Sequence, residues 1–266
     1  MEDETVLTIR LFAAICRGEL EEVHVLTNRG ADIRRRFEPQ WLPTVLDLNT
    51  AAAVEAGAPD NLFPVEGLEP VHLACLCADL EVTQYLHARG VSLHAAAAGG
   101  QRPLHFAACV GAEDVAVWLI SQTVGTDEVN VADAAGNTPL HLAVAAHSID
   151  VVRLLATHAA RIDARVVQCG SQPMHFACQL GHLDTVLVLH EEFGAALDVA
   201  MHNGLRPIHQ ACLCGHTLLT SYLYGTGARV RLAELTHADR ATLLRFMHMH
   251  DLLTFLNPQE RDAIGI

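Results

Sequence analysis

One three-residue box, proline–apolar–histidine, recurs five times along this chain of 266 residues and limits its fold more than any other feature. It reads Pro70-Val71-His72, Pro103-Leu104-His105, Pro139-Leu140-His141, Pro173-Met174-His175 and Pro207-Ile208-His209. The histidines are spaced 33, 36, 34 and 34 residues apart. A near-constant period of this size marks a stacked array, in which each unit buries its apolar face against its neighbours rather than around a core of its own.

The box has a local physical role. Proline suits the first helical turn, because its φ is preset and the N–H it lacks would be unpaired there anyway. The residue before it is Thr138 in one copy, a good N-cap, and Glu69, Arg102, Gln172 or Arg206 in the others, which are weaker caps. After each histidine come small residues that let helices pack closely, such as Ala107-Ala108 and Ala177-Cys178. Gly111, Gly181 and Gly215 follow as left-handed helix stops, and a second apolar helix comes next, as at 149–155.

These positions together resemble the ankyrin repeat, whose marks are a TPLH box, an Ala-Ala pair, a glycine and a second helix. The linker 129–139 is close to that family's finger sequence. The resemblance covers 68–230 and, with a degenerate first copy, 5–230. It implies an all-α solenoid of about six helix-turn-helix repeats with short finger loops, capped at both ends. The units divide as a capping repeat at 1–36, an insertion or extended loop at 37–67, repeats at 68–101, 102–136, 137–170, 171–204 and 205–235, and a helical cap at 236–266.

Residues 5–36 lack the box, as suits an end unit with one solvent face. The insertion holds Pro39, Pro43, Pro59 and Pro64, with an alanine-rich stretch at 44–56 that reads as helix. A segment this long is either functional or a tolerated decoration. In the tail, Asn257-Pro258-Gln259-Glu260 reads as an N-cap, an N1 proline and an N3 glutamate opening a last short helix.

Composition narrows the function class. The net charge is −14, from 31 acidic and 17 basic residues, which disfavours nucleic acid and anionic membrane as partners. No apolar run is long enough to span a bilayer, and Met1-Glu2-Asp3-Glu4 does not open a signal peptide. Eight cysteines then read as reduced thiols. The expectation is a cytoplasmic protein, with nuclear or cytoskeletal association left open.

Seventeen histidines invite a metal or catalytic reading. The resemblance instead implies that His72, His105, His141, His175 and His209 are structural, their imidazoles hydrogen-bonding the turn backbone. The pairs Cys75-x-Cys77 and Cys212-x-Cys214 have ligand-like spacing, but on a helix positions i and i+2 do not share a face. The same argument splits Met247-His248-Met249-His250. No Gly-rich phosphate loop, zinc-protease motif or nucleophile elbow appears. The sequence therefore gives no catalytic residue, metal or cofactor, and an enzyme or metal-binding protein is the remote alternative.

In the resembling fold the first helices line a concave face, and the two positions before each stop point into it. Here these are Cys16-Arg17, Leu76-Cys77, Cys109-Val110, Ala145-Ala146, Gln179-Leu180 and Leu213-Cys214. Only Arg17 is charged, and an apolar stripe of this kind marks an interaction surface. Arg34, Arg35, Arg36 and Trp41, at the first finger and the start of the insertion, are secondary binding candidates. The implied function is a non-enzymatic scaffold, adaptor or assembly subunit holding a protein partner in an apolar groove. A regulatory inhibitor or assembly chaperone masking an apolar surface of its target is the alternative.

Overall fold

The computed structural model describes residues 3–41, 67–235, 237–249 and 252–264; the helix expected at 44–56 lies outside them, as does His250. The chain forms two compact units, Met1–Ala160 and Arg161–Ile266. The described residues are helices and loops, without strands.

The first unit is built from four helix pairs: α1 (Glu4–Arg17) with α2 (Leu20–Asn28), α3 (Pro70–Leu76) with α4 (Leu80–Ala88), α5 (Pro103–Val110) with α6 (Glu113–Gln122), and α7 (Pro139–Ala145) with α8 (Ile149–Thr157). The first helices stack in order α1–α3–α5–α7, and the second helices stack as α2–α4–α6–α8. The first helices are apolar nearly all round, with Leu73, Phe106 and Leu142 buried between them, whereas the second helices bury one stripe, such as Val151, Val152 and Leu155.

The second unit repeats the pattern. Its pairs are α9 (Pro173–Leu180) with α10 (Leu183–Leu187), which runs on into a π-helical turn at Val188–Glu192, and α11 (Pro207–Leu213) with α12 (Thr217–Gly225). Helix α13 (His237–Met249) packs on α11, where a further first helix would stand, and buries Leu243 and Met247. A 3-10 turn at Leu252–Phe255 and α14 (Pro258–Ile264) close this unit. The reciprocal cap expected at its start is present: Asn257 N–H donates to Glu260 Oε2 at 3.1 Å and Glu260 N–H to Asn257 Oδ1 at 2.9 Å. The other oxygen of Glu260 accepts from Leu232 N–H at 3.0 Å, which fixes the cap to the preceding chain.

Each box works through its histidine. Nδ1 of His72, His105, His141, His175 and His209 accepts the N–H of the residue before the proline, at 2.9, 3.1, 3.2, 3.1 and 3.0 Å. The histidine therefore caps its own helix, and the poor capping types at Glu69, Arg102, Gln172 and Arg206 do not matter. The first-helix stops are left-handed at Gly18, Gly111, Gly181 and Gly215, as glycine allows. Ala78 and His147 take the same conformation at φ 56°, although neither is glycine.

Candidate functional site

The twelve residues before the helix stops do not form one exposed stripe. Successive helical residues point about 100° apart, so one of two neighbours can turn into the packing while the other faces outward. The position directly before the stop stays open: Cys77, Val110 and Ala146 are half-buried, and Arg17, Leu180 and Cys214 are exposed. The position before that turns inward in two copies. Leu76 is 8 % exposed and Cys109 2 %, on helices flanked by α1 and α5 and by α3 and α7 respectively. These two are packing residues and not part of an open surface. Cys16, Ala145 and Leu213 are half-buried, and Gln179 is exposed.

Arg17 is the charge in this row, and it is satisfied within the chain, by Glu19 at 2.8 Å and Glu22 at 3.0 Å. What remains open is apolar or neutral, in the first unit around Val110 and Ala146 and in the second around Leu180, Leu213 and Cys214.

The secondary candidates have partners within the chain. Trp41 is 4 % exposed and packs against Phe12 and Phe37, with ring centroids 6.0 and 5.9 Å away. Arg35 pairs with Glu38 at 3.0 Å and lies over the Trp41 ring. Arg34 donates to Gly90 O at 2.7 Å and Arg36 to Ala96 O at 3.2 Å, so both tie the first finger to the repeat that follows. The start of the insertion is thus core: Phe37 N–H donates to Leu68 O at 2.7 Å and Gly67 N–H to Phe37 O at 3.0 Å, clamping the two described ends of that segment together. An aromatic cluster of residues 12, 37 and 41 was hidden from sequence reading because its members lie outside the repeat pattern.

The box histidines are buried and serve the backbone. In His72, His105 and His175, with Nδ1 accepting, the ring proton sits on Nε2. That nitrogen meets Ala95 O at 2.9 Å from His72, Asn137 O at 3.3 Å from His105 and Val199 O at 3.0 Å from His175. Each ring bridges its helix to the finger that follows. Burial holds His72 and His175 down to about 4 and also lowers His105, because a charged imidazole would lose its hydration there.

Glu128 is a residue that sequence reading missed. It lies in the loop that lengthens the period to 36, it is buried, and its carboxylate meets both His94 and Arg102. These contacts make it a clasp between two repeats. A cavity of about 580 Å³ in the second unit is lined by Asp163, Arg165, Gln172, Phe193 and Val199 among others. Its guanidinium is spent on the carbonyl oxygens of Gly170 and Ala200, at 3.2 and 3.1 Å. Among the described residues no three His, Cys, Asp or Glu side chains gather as a metal site, and no helix is long and apolar enough to cross a membrane.

Comparison with known proteins agrees with this geometry. Residues 71–166 match the family model for ankyrin repeats, in three copies. A Rickettsia bellii (strain RML369-C) protein named as an ankyrin repeat protein is 34 % identical over 82 residues, covering 31 % of this chain and 45 % of its own. A Danio rerio protein named as the palmitoyltransferase ZDHHC13 is 33 % identical over 109 residues, 40 % of this chain and 16 % of its own. Human transient receptor potential cation channel subfamily A member 1 is 34 % identical over 95 residues, 36 % of this chain and 8 % of its own. The chain spans less than half the length of each of these relatives.

Proposed function

Because this chain is an ankyrin-repeat protein, a class whose repeats generally mediate protein–protein interaction and are typically non-catalytic, we propose that it is a non-enzymatic binding module. It holds a protein partner against the first-helix faces, as a scaffold, adaptor or assembly subunit. The supporting observation is the row directly before the helix stops, which is exposed or half-buried in each described repeat and whose one charge, Arg17, is held by Glu19 and Glu22. Recognition by such a surface is led by shape and apolar contact. Parts of the chain are matched in proteins named as a transferase and as a channel, which supports reading it as a module reused in unlike contexts. Eight cysteines free of disulfides support a reducing, cytoplasmic setting.

The test is affinity capture from the native cell with mass spectrometry, comparing the wild type with Val110→Glu and Leu180→Glu. Leu180 is 45 % exposed and Val110 half-buried, so each change is expected to cost little folding stability, within about 0.5–1 kcal/mol. Each would bury an unpaired charge at a contact and weaken binding. Unchanged capture by both variants, with unchanged melting, sinks the groove as the interface.

A further inference from the structure

The C-terminal ends of α1 and α3 bring two thiols together. Cys16 stands one residue inside the end of α1, Cys77 caps α3, and the two helices pack side by side. The Cys16 thiol is hydrogen-bonded to the Cys77 sulfur. The residues just beyond both also meet: a Cβ placed on Gly18 would come 3.5 Å from the Asp79 side-chain oxygen Oδ2. Both cysteines are half-buried and so reachable from solvent. By contrast Cys75, Cys109 and Cys212 are buried, and burial pushes their thiols up to about 12, which keeps them protonated and inert. Cys178 is buried and shifted in the same direction.

We propose that Cys16 and Cys77 are a redox-sensitive dithiol that a peroxide closes to a disulfide. One thiolate of the pair attacks first. Its sulfur takes one peroxide oxygen, the O–O bond breaks, and the other oxygen leaves as water after protonation, giving a sulfenic acid. The other cysteine's sulfur then displaces that hydroxyl, the S–S bond forms, and a second water leaves with that thiol's proton. Two thiols and one peroxide become one disulfide and two waters. The sulfurs supply both electrons.

The bond joins positions 61 apart in sequence and staples the first helix pair to the second. It also fixes Cys77, which lies in the row before the helix stops, so the oxidation state of this pair shapes one end of that row in the first unit. The chemistry itself does not depend on what that row binds.

The test is thiol mapping on the full chain. Wild-type protein is treated with hydrogen peroxide, alkylated, digested with trypsin and analysed by mass spectrometry. The expected product has lost two hydrogens and carries peptide 11–17 linked to the peptide holding Cys77, with fragmentation placing the bond on Cys77 and not Cys75. Dithiothreitol reverses it. Cys16→Ser and Cys77→Ser each abolish the link, and Cys214→Ser retains it. Recovery of Cys16 and Cys77 as alkylated thiols from peroxide-treated wild type, while exposed Cys214 is oxidised, overturns the proposal. So does a link from either residue to a different cysteine. The wild-type map decides the question even where a serine variant folds poorly.

Discussion

His94 Nδ1 lies 2.5 Å from a carboxylate oxygen of Glu128, and Arg102 reaches the same oxygen. One acidic group, 4 % exposed, thereby ties the loop after α4 and the N-cap of α5 to the loop that precedes α7. Glu128→Ala is expected to lower stability by about 1–3 kcal/mol, the range for losing charge-assisted hydrogen bonds at a buried acceptor. Arg102 and His94 are partly exposed and can turn to water, so the lower half of that range is favoured. Urea unfolding of the variant beside wild type measures it. A change too small to resolve would show the clasp to be energetically idle.

The box histidines make stability depend on pH. An unfolded imidazole binds its proton near 6.5, whereas His72 and His175 are held at about 4. Between these values the unfolded chain carries more protons than the folded one, so stability rises with pH. The contribution is complete above about pH 6.5 and is lost as pH falls toward 4, by about 1.4 kcal/mol per unit for each histidine. His105 acts in the same direction. Urea midpoints are expected to be lower at pH 5 than at 7.5, with a shallower slope in His72→Asn. Equal midpoints in wild type would contradict the buried neutral state.

Ala78 occupies a left-handed helix stop at φ 56° that glycine fills elsewhere. Ala78→Gly is expected to stabilise the chain by about 1 kcal/mol, by relieving the clash of Cβ with the backbone. Gly181→Ala tests the converse. At φ 77° its new Cβ would come within 2.5 Å of His216 Nδ1, so both strain and displacement of that ring oppose it. Thermal melts of the two variants should move in opposite directions.

Trp41 holds the first repeat together with Phe12 and Phe37. Trp41→Ala is expected to cost about 3–5 kcal/mol, as for other large-to-small changes at buried aromatic sites. In a repeat array that loss falls on the local unit and its neighbour. Hydrogen exchange should show early loss of protection in α1 and α2, with α9 and α11 unchanged. Uniform loss along the chain would instead point to a single cooperative block.

Sequence alone determined what depends on contacts within a few residues. The box fixed where the first helices of the five boxed repeats start, because proline and the capping histidine act inside one turn. Gly111, Gly181 and Gly215 marked helix ends, and Asn257 with Glu260 marked the last cap, for the same reason. Tertiary structure decided what depends on residues far apart in the chain. Phe37 and Trp41 read as the start of a loop and are core, because Phe12 stands against them. Arg34 and Arg36 read as a charge patch and are bound to carbonyl oxygens some sixty residues on. Ala78 and His147 are left-handed although neither is glycine; stacking against neighbours sets the repeat register, and the backbone must turn where the array requires. Cys16 meets Cys77, and Glu128 meets Arg102, only when the period brings successive repeats side by side. A periodic pattern records the shape of each unit, but the side chains that join one unit to the next are chosen by packing and leave no period of their own.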